Sequence, residues 1–139
     1  MRVFYIFKIN KYFSYVYQNK AYKMYKLLEE IYYSKDCDLK LITGYFKQIV
    51  DNFNQEEINR YLYKNLSSTK DYYKKSNIHI ICDNYEYTKL VVNKDSIKIK
   101  TNQSNPSIFN YLYNYDNNIF ICDFNNKTYF WLKKDCQTV

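Results

Sequence analysis

The stretch Asn118-Ile-Phe-Ile-Cys-Asp-Phe124, Asn125-Asn-Lys127, Thr128-Tyr-Phe-Trp-Leu-Lys133 decides the fold. Both arms are β-branched and aromatic, residue types that fit a pleated, half-buried surface. Between them lies an Asn-Asn-Lys tip, and asparagine tolerates the positive φ that tight hairpin turns demand. The stretch predicts a two-stranded antiparallel hairpin. Gly44 is the only glycine in the chain, so asparagine is expected to do the turn work elsewhere too.

Side chains alternate across a strand. The first arm therefore divides into Ile119, Ile121 and Asp123 on one side and Phe120, Cys122 and Phe124 on the other. The second divides into Tyr129 and Trp131 against Thr128, Phe130 and Leu132. Neither arm has a wholly polar side, so both faces of the hairpin are expected to be covered. Trp131, the only tryptophan, is the largest apolar surface the chain can bury.

Working outward, 139 residues with 47% hydrophobic and 25% charged side chains point to one domain spanning 1–139. Nineteen tyrosines beside one glycine and one proline, with abundant Lys, Asn and Ile, reflect an AT-rich coding sequence more than a function. A net charge of +7 favours anionic partners. The lysines are scattered, however, and arginine stands only at Arg2 and Arg60, which reads as a solvated surface rather than a nucleic-acid groove. Cys37, Cys82, Cys122 and Cys136 form no CxxC pair and His79 is the single histidine, so zinc-site spacing is lacking. No secretory leader or apolar run of membrane-spanning length is present. A reduced, cytoplasmic protein with no membrane association is expected.

Arg2–Ile9 reads as a first strand and Lys11–Tyr17 as a short helix, followed by a polar break at Gln18-Asn19. Ala21–Tyr33 is an amphipathic helix whose stripe of Met24, Leu27, Leu28 and Ile31 faces the core. Phe13 and Tyr17 admit two readings. An unbroken helix would place them on that stripe, whereas a break would let them turn outward. A third helix is expected over about Gly44–Phe53, after a less regular stretch from Asp36, and a fourth from an Asn54 cap to Leu66. Ser67–Asn77 reads as a polar connection. Ile78–Asp83, Glu86–Val92 and Ser96–Thr101 follow as strands, and Pro106 opens a last helix with Ile108, Phe109, Leu112 and Tyr113 inward. The tail from Asp135 is expected to fray.

The two ends of the chain also carry a resemblance. Asp123-Phe124-Asn125, Lys127, Tyr129 and Trp131-Leu132 resemble the C-terminal signature of the SirA family, sporulation inhibitors of replication. The aromatic first strand, Phe13 and Tyr17 four apart, the break, and Met24-Tyr25 with Leu27-Leu28 resemble its opening, though the family usually has a glycine near Gln18-Asn19. Lys47-Gln48-Ile49 is similar to a family triplet. The resemblance implies that Phe13 and Tyr17, with Gln48 and Ile49 beside them, bind the N-terminal domain of DnaA and so block replication initiation during sporulation.

Little else suggests chemistry. Ile-Cys-Asp occurs at Ile81–Asp83 and at Ile121–Asp123, and carboxylates and thiols would meet only if those strands were neighbours. No acid or serine stands near His79 at nucleophile-elbow spacing, and one glycine cannot form a phosphate-cradling loop. The sequence therefore predicts an α+β domain, helices mainly in the N-terminal half and an antiparallel sheet in the C-terminal half joined by the N-terminal strand. It is expected to be a regulatory binder rather than an enzyme, with no cofactor, no small-molecule substrate and no specific nucleic acid. The rival from another class is a basic single-stranded nucleic-acid-binding domain. That reading requires strand aromatics to share one exposed face with lysines, as Tyr85, Tyr87 and Lys89 do in part.

Overall fold

The computed structural model describes residues 1–34 and 39–132. The expectations for Asp36, Cys37, Lys133, Cys136 and the tail from Asp135 lie outside the described residues. In chain order the elements are β1 (Arg2–Ile9), α1 (Lys11–Tyr17), α2 (Ala21–Tyr32), α3 (Leu39–Ile49), β2 (Val50–Asp51) and α4 (Gln55–Leu66). They continue with β3 (Tyr72–Lys75), β4 (Ile78–Cys82), β5 (Tyr87–Val92), β6 (Ile97–Thr101), α5 (Ile108–Tyr115), β7 (Ile119–Asp123) and β8 (Thr128–Trp131). The fold is α+β. Helices fall mostly in the first half of the chain and strands in the second, with β1 joining the later strands.

All strand pairings are antiparallel. The sheet runs β3-β4-β5-β6-β1-β7-β8, and β2 pairs with β1 as well. The first strand of the chain is thus central, held between β6 and β7. Its alternation explains why. Phe4 and Ile6 enter one core cluster, Phe7 and Ile9 the other. A strand covered on both faces reads as a near-continuous apolar run, here Val3–Phe7.

The final hairpin divides in the same way. Ile119, Ile121, Phe130 and Leu132 pack with α4 and α5, while Phe120, Cys122, Tyr129 and Trp131 pack with α1, α2 and α3. Every residue of β7 is buried. Its loop is longer than the expected three-residue tip, because Asp123 pairs with Thr128 and Phe124 belongs to the turn. The positive φ in that turn falls on Lys127, at 54°, not on an asparagine. Asparagine does not supply the left-handed turn positions elsewhere either. Among the described residues these are Asp71 and Ser76, which flank β3.

Two elements depart from the sequence reading. The helix α3 begins at Leu39 and ends at Ile49, after which Val50–Asp51 leaves the helix to pair with Lys8 and Ile9. The supposed connection at Ser67–Asn77 contains β3, which among the described residues is an edge strand paired only with β4. A short, lysine-bearing edge strand needs no apolar alternation, since one of its sides meets water. Asn54 caps α4 as expected, accepting from the Glu57 N–H at 3.1 Å. No helix among the described residues is long and apolar enough to cross a membrane.

Candidate functional site

The α1 helix has seven residues, none of them buried. Seven residues are too few for a stable isolated helix, and three hydrogen bonds to distant parts of the chain hold it in place. At its start the Asn10 N–H donates to the Ile49 carbonyl at 2.7 Å, while the Asn10 side chain caps Tyr12 N–H at 2.9 Å. In its middle the Ser14 hydroxyl donates to Asn118 Oδ1 at 3.0 Å. At its end the Tyr17 carbonyl accepts from Trp131 Nε1 at 3.2 Å.

The break after α1 forms without a glycine. Gln18 stays in the right-handed region, and Lys20 turns the chain at φ −131°, ψ 50°, a negative φ open to any residue. The Lys20 N–H closes the turn on the Tyr17 carbonyl at 2.9 Å. That carbonyl therefore receives two donors, one local and one from the last strand.

Phe13 and Tyr17 lie one turn apart with their rings stacked, centroids 6.3 Å apart and planes at 13°. Tyr12 meets Phe13 edge-on at 5.5 Å. Neither sequence reading of the pair holds in full. The helix breaks, as the outward reading needs, yet both rings stay half-buried against the cluster of Phe7, Met24 and Trp131. Tyr12 and Tyr15, which the sequence reading did not single out, are exposed on the same helix, Tyr15 at 80%. Their signal was present as the complement of the Phe13–Tyr17 stripe, but a seven-residue helix has too few turns to separate two faces by period.

Of the other two candidates, Gln48 is exposed on α3. Ile49 is 3% exposed and sits in the core beside Met24 and Leu28. It lines a groove of about 390 Å³ together with Leu27, Glu30, Ile31 and Tyr45. Its carbonyl anchors α1. It supports the surface from beneath.

The surroundings are positive. No acidic residue occurs before Glu29, whereas Lys11, Lys20, Lys23 and Lys26 are exposed. Lys26 is tied to Glu29 at 2.7 Å, which holds the Glu29 carboxyl below its ordinary value. Behind this surface, α2 is fixed to the final hairpin by rings. Tyr25 stacks on Tyr129 with centroids 4.6 Å apart, and Tyr32 stacks on Phe124 at 4.4 Å. Such a surface offers rings, an amide and lysines.

The two Ile-Cys-Asp triplets do not meet, for β4 and β7 are separated by β5, β6 and β1. Each aspartate instead closes its own hairpin. Asp83 Oδ1 accepts from the Tyr85 and Glu86 N–H groups at 2.8 and 2.7 Å. Asp123 Oδ1 accepts from the Asn126 N–H at 3.1 Å, and its Oδ2 receives Arg2 Nε at 3.0 Å. Among the described residues, no cluster of three His, Cys, Asp or Glu residues could hold a metal ion.

The parts of the chain that look most distinctive, the opening through α2 and the closing hairpin, are therefore one surface in space. A family model described as sporulation inhibitor of replication protein SirA matches residues 2–134. The chain belongs to the SirA family. No curated protein matches it. Membership makes the protein a regulatory inhibitor of replication linked to sporulation. In SirA terms, the contact between Tyr17 and Trp131 joins the opening and closing segments across 114 residues.

Proposed function

We propose that this protein restrains replication initiation by docking on the N-terminal domain of DnaA, with Phe13 and Tyr17 as anchors and Gln48 beside them. The observation that carries the proposal is the state of α1. It is a helix with no buried residue, clamped by its bonds to Ile49, Asn118 and Trp131, that carries a stacked, half-exposed aromatic pair.

A clamped helix loses little conformational freedom on binding, so more of the contact energy appears as affinity. Aromatic anchors dominate binding hot spots, and one such pair can centre an interface of roughly 1,200–1,600 Å². The surrounding lysines favour an acidic partner face and speed encounter. Inhibition then follows from occupancy. The bound protein covers a surface that DnaA needs for assembly at the origin, in the cytoplasm, with no bond made or broken and no cofactor.

Titration of the purified N-terminal domain of DnaA into this protein tests the proposal calorimetrically. Saturable one-to-one binding is expected. A flat titration, with no co-elution on gel filtration, would remove the proposed partner.

A further inference from the structure

Among the described residues, the helices do not cover the whole sheet. On the α4 and α5 side, β4, β5 and β6 bury His79, Ile81, Thr88, Leu90, Val92, Ile97, Ile99 and Thr101. On the opposite side, α1, α2 and α3 lie over β1, β7 and β8. Every residue that β3 to β6 turn to that opposite side is exposed or half-exposed. The result is an open half-sheet with Tyr73 and Lys75 on β3, Ile78, Ile80 and Cys82 on β4, Tyr87, Lys89 and Val91 on β5, and Lys98 and Lys100 on β6.

The charge on this half-face has one sign. Among its strand residues none is acidic, and among the described residues none of its four lysines forms an ion pair. Lys89 and Lys100 are direct cross-strand partners, an arrangement that is destabilising for like charges. The register that buries Leu90 against Ile99 enforces this opposition, and an anion between the two ammonium groups would relieve it.

Rings lie among these cations. Tyr73 is 62% exposed on the outer strand. At the inner boundary Lys98 Nζ sits 5.8 Å from the centre of the Tyr5 ring. There a cleft of about 200 Å³ opens between Tyr5, Tyr32 and Phe124, and those three rings are already in mutual contact. Lysines on β3, β5 and β6, rings on β3 and β5, and the half-exposed Ile78, Ile80 and Val91 between them match a flexible polyanion of planar units. Nothing on this half-face projects as a helix or ribbon that could enter a duplex groove.

We infer that the open half of the sheet binds single-stranded nucleic acid without sequence preference, its phosphates on Lys75, Lys89, Lys98 and Lys100 and its bases on Tyr73, Tyr87 and the Tyr5 cleft. This site is separate from α1, and the two can be tested apart. The rival reading of the sequence required tyrosines and lysines on one exposed face, and Tyr87 and Lys89 meet it here, whereas Tyr85 lies in the β4–β5 turn.

Fluorescence anisotropy of a labelled oligothymidylate against the full chain tests the inference. Binding should weaken with salt at a log–log slope of about −3, as four single-strand phosphate contacts require. The Lys89→Ala/Lys100→Ala variant removes a repulsive pair, so it should fold and melt no lower than the parent. It should bind at least tenfold more weakly, with the slope reduced by about 1.4. Tyr73→Ala should weaken binding about tenfold through lost stacking. Phe13→Ala should leave oligothymidylate binding unchanged. The inference is overturned if Lys64→Ala/Lys70→Ala, a matched charge loss outside the half-face, weakens binding equally. Equal affinity for a duplex of the same length, or for polyglutamate, overturns it as well.

Discussion

Trp131 Nε1 donates to the main-chain carbonyl of Tyr17 at 3.2 Å. This bond ties the last strand to the end of α1, so the hairpin that organises the sheet also fixes the surface proposed to meet a partner. The indole ring is 8% exposed and meets Phe120 edge-on at 4.8 Å. Stability and docking are therefore linked through one side chain.

Trp131→Ala should lower stability by about 3–5 kcal/mol, as large-to-small core changes do. Trp131→Phe keeps most of the ring and loses the donor, at a cost of about 1 kcal/mol. Urea melts of both variants check the ranking. Near-equal losses would show that the bond to Tyr17 matters more than the packing.

His79 should make stability depend on pH in a mildly acidic window. It is 2% exposed, with Nδ1 and the Tyr72 hydroxyl 2.7 Å apart and Nε2 and Asn59 Oδ1 2.8 Å apart. Burial, helped by the Lys74 charge, pushes its pKa down from 6.5 to about 4. Above about 6.5 the ring is neutral in both states and contributes no pH dependence. Between 6.5 and 4 the unfolded chain takes up a proton that the folded chain refuses, so stability falls as pH falls, by up to about 3 kcal/mol. The loss levels off near pH 4. Melting temperatures from pH 7 to 4 should show this slope, and His79→Gln should flatten it. An unchanged slope in the variant would assign the effect to other groups.

The two hairpin aspartates should differ in weight. Asp123 is fully buried and receives Arg2 and Asn126, whereas Asp83 is exposed. Burial alone would raise the Asp123 carboxyl, but the hydrogen bonds from Asn126 and the Arg2 guanidinium outweigh it and hold the pKa below the ordinary value. Asp123→Ala should cost about 1.5–3 kcal/mol, because it removes a buried carboxylate that accepts charge-assisted and amide hydrogen bonds, and Asp83→Ala about 0.5–1 kcal/mol. Chemical denaturation of the pair checks the order.

Much of this fold was legible because its strands obey period two and its helices carry apolar stripes. The Ile119/Phe120 alternation foretold a hairpin covered on both sides, and Asn54 marked the start of α4. What escaped had physical reasons. Tyr72–Lys75 is an edge strand whose polar residues face water, so nothing in its pattern separates it from a loop. Val50–Asp51 continues a helical apolar pattern, and only pairing with Lys8 and Ile9 turns it into strand. The turn positions at Asp71, Ser76 and Lys127 carry no glycine or asparagine signal at all. For the candidate site, the spacing of Phe13 and Tyr17 was readable. The burial of Ile49 was not, since it depends on where α3 ends.

The most direct test of the docking proposal measures melting and DnaA affinity on the same two variants, Phe13→Ala and Tyr17→Ala. Both rings are half-buried, so each truncation should cost about 1 kcal/mol of stability and leave a cooperative melt. Affinity for the N-terminal domain of DnaA, measured well below the melting transition, should fall by about 2 kcal/mol or more, near thirtyfold. Unchanged affinity in the folded variants would contradict the proposal, and so would a loss of binding that only tracks unfolding.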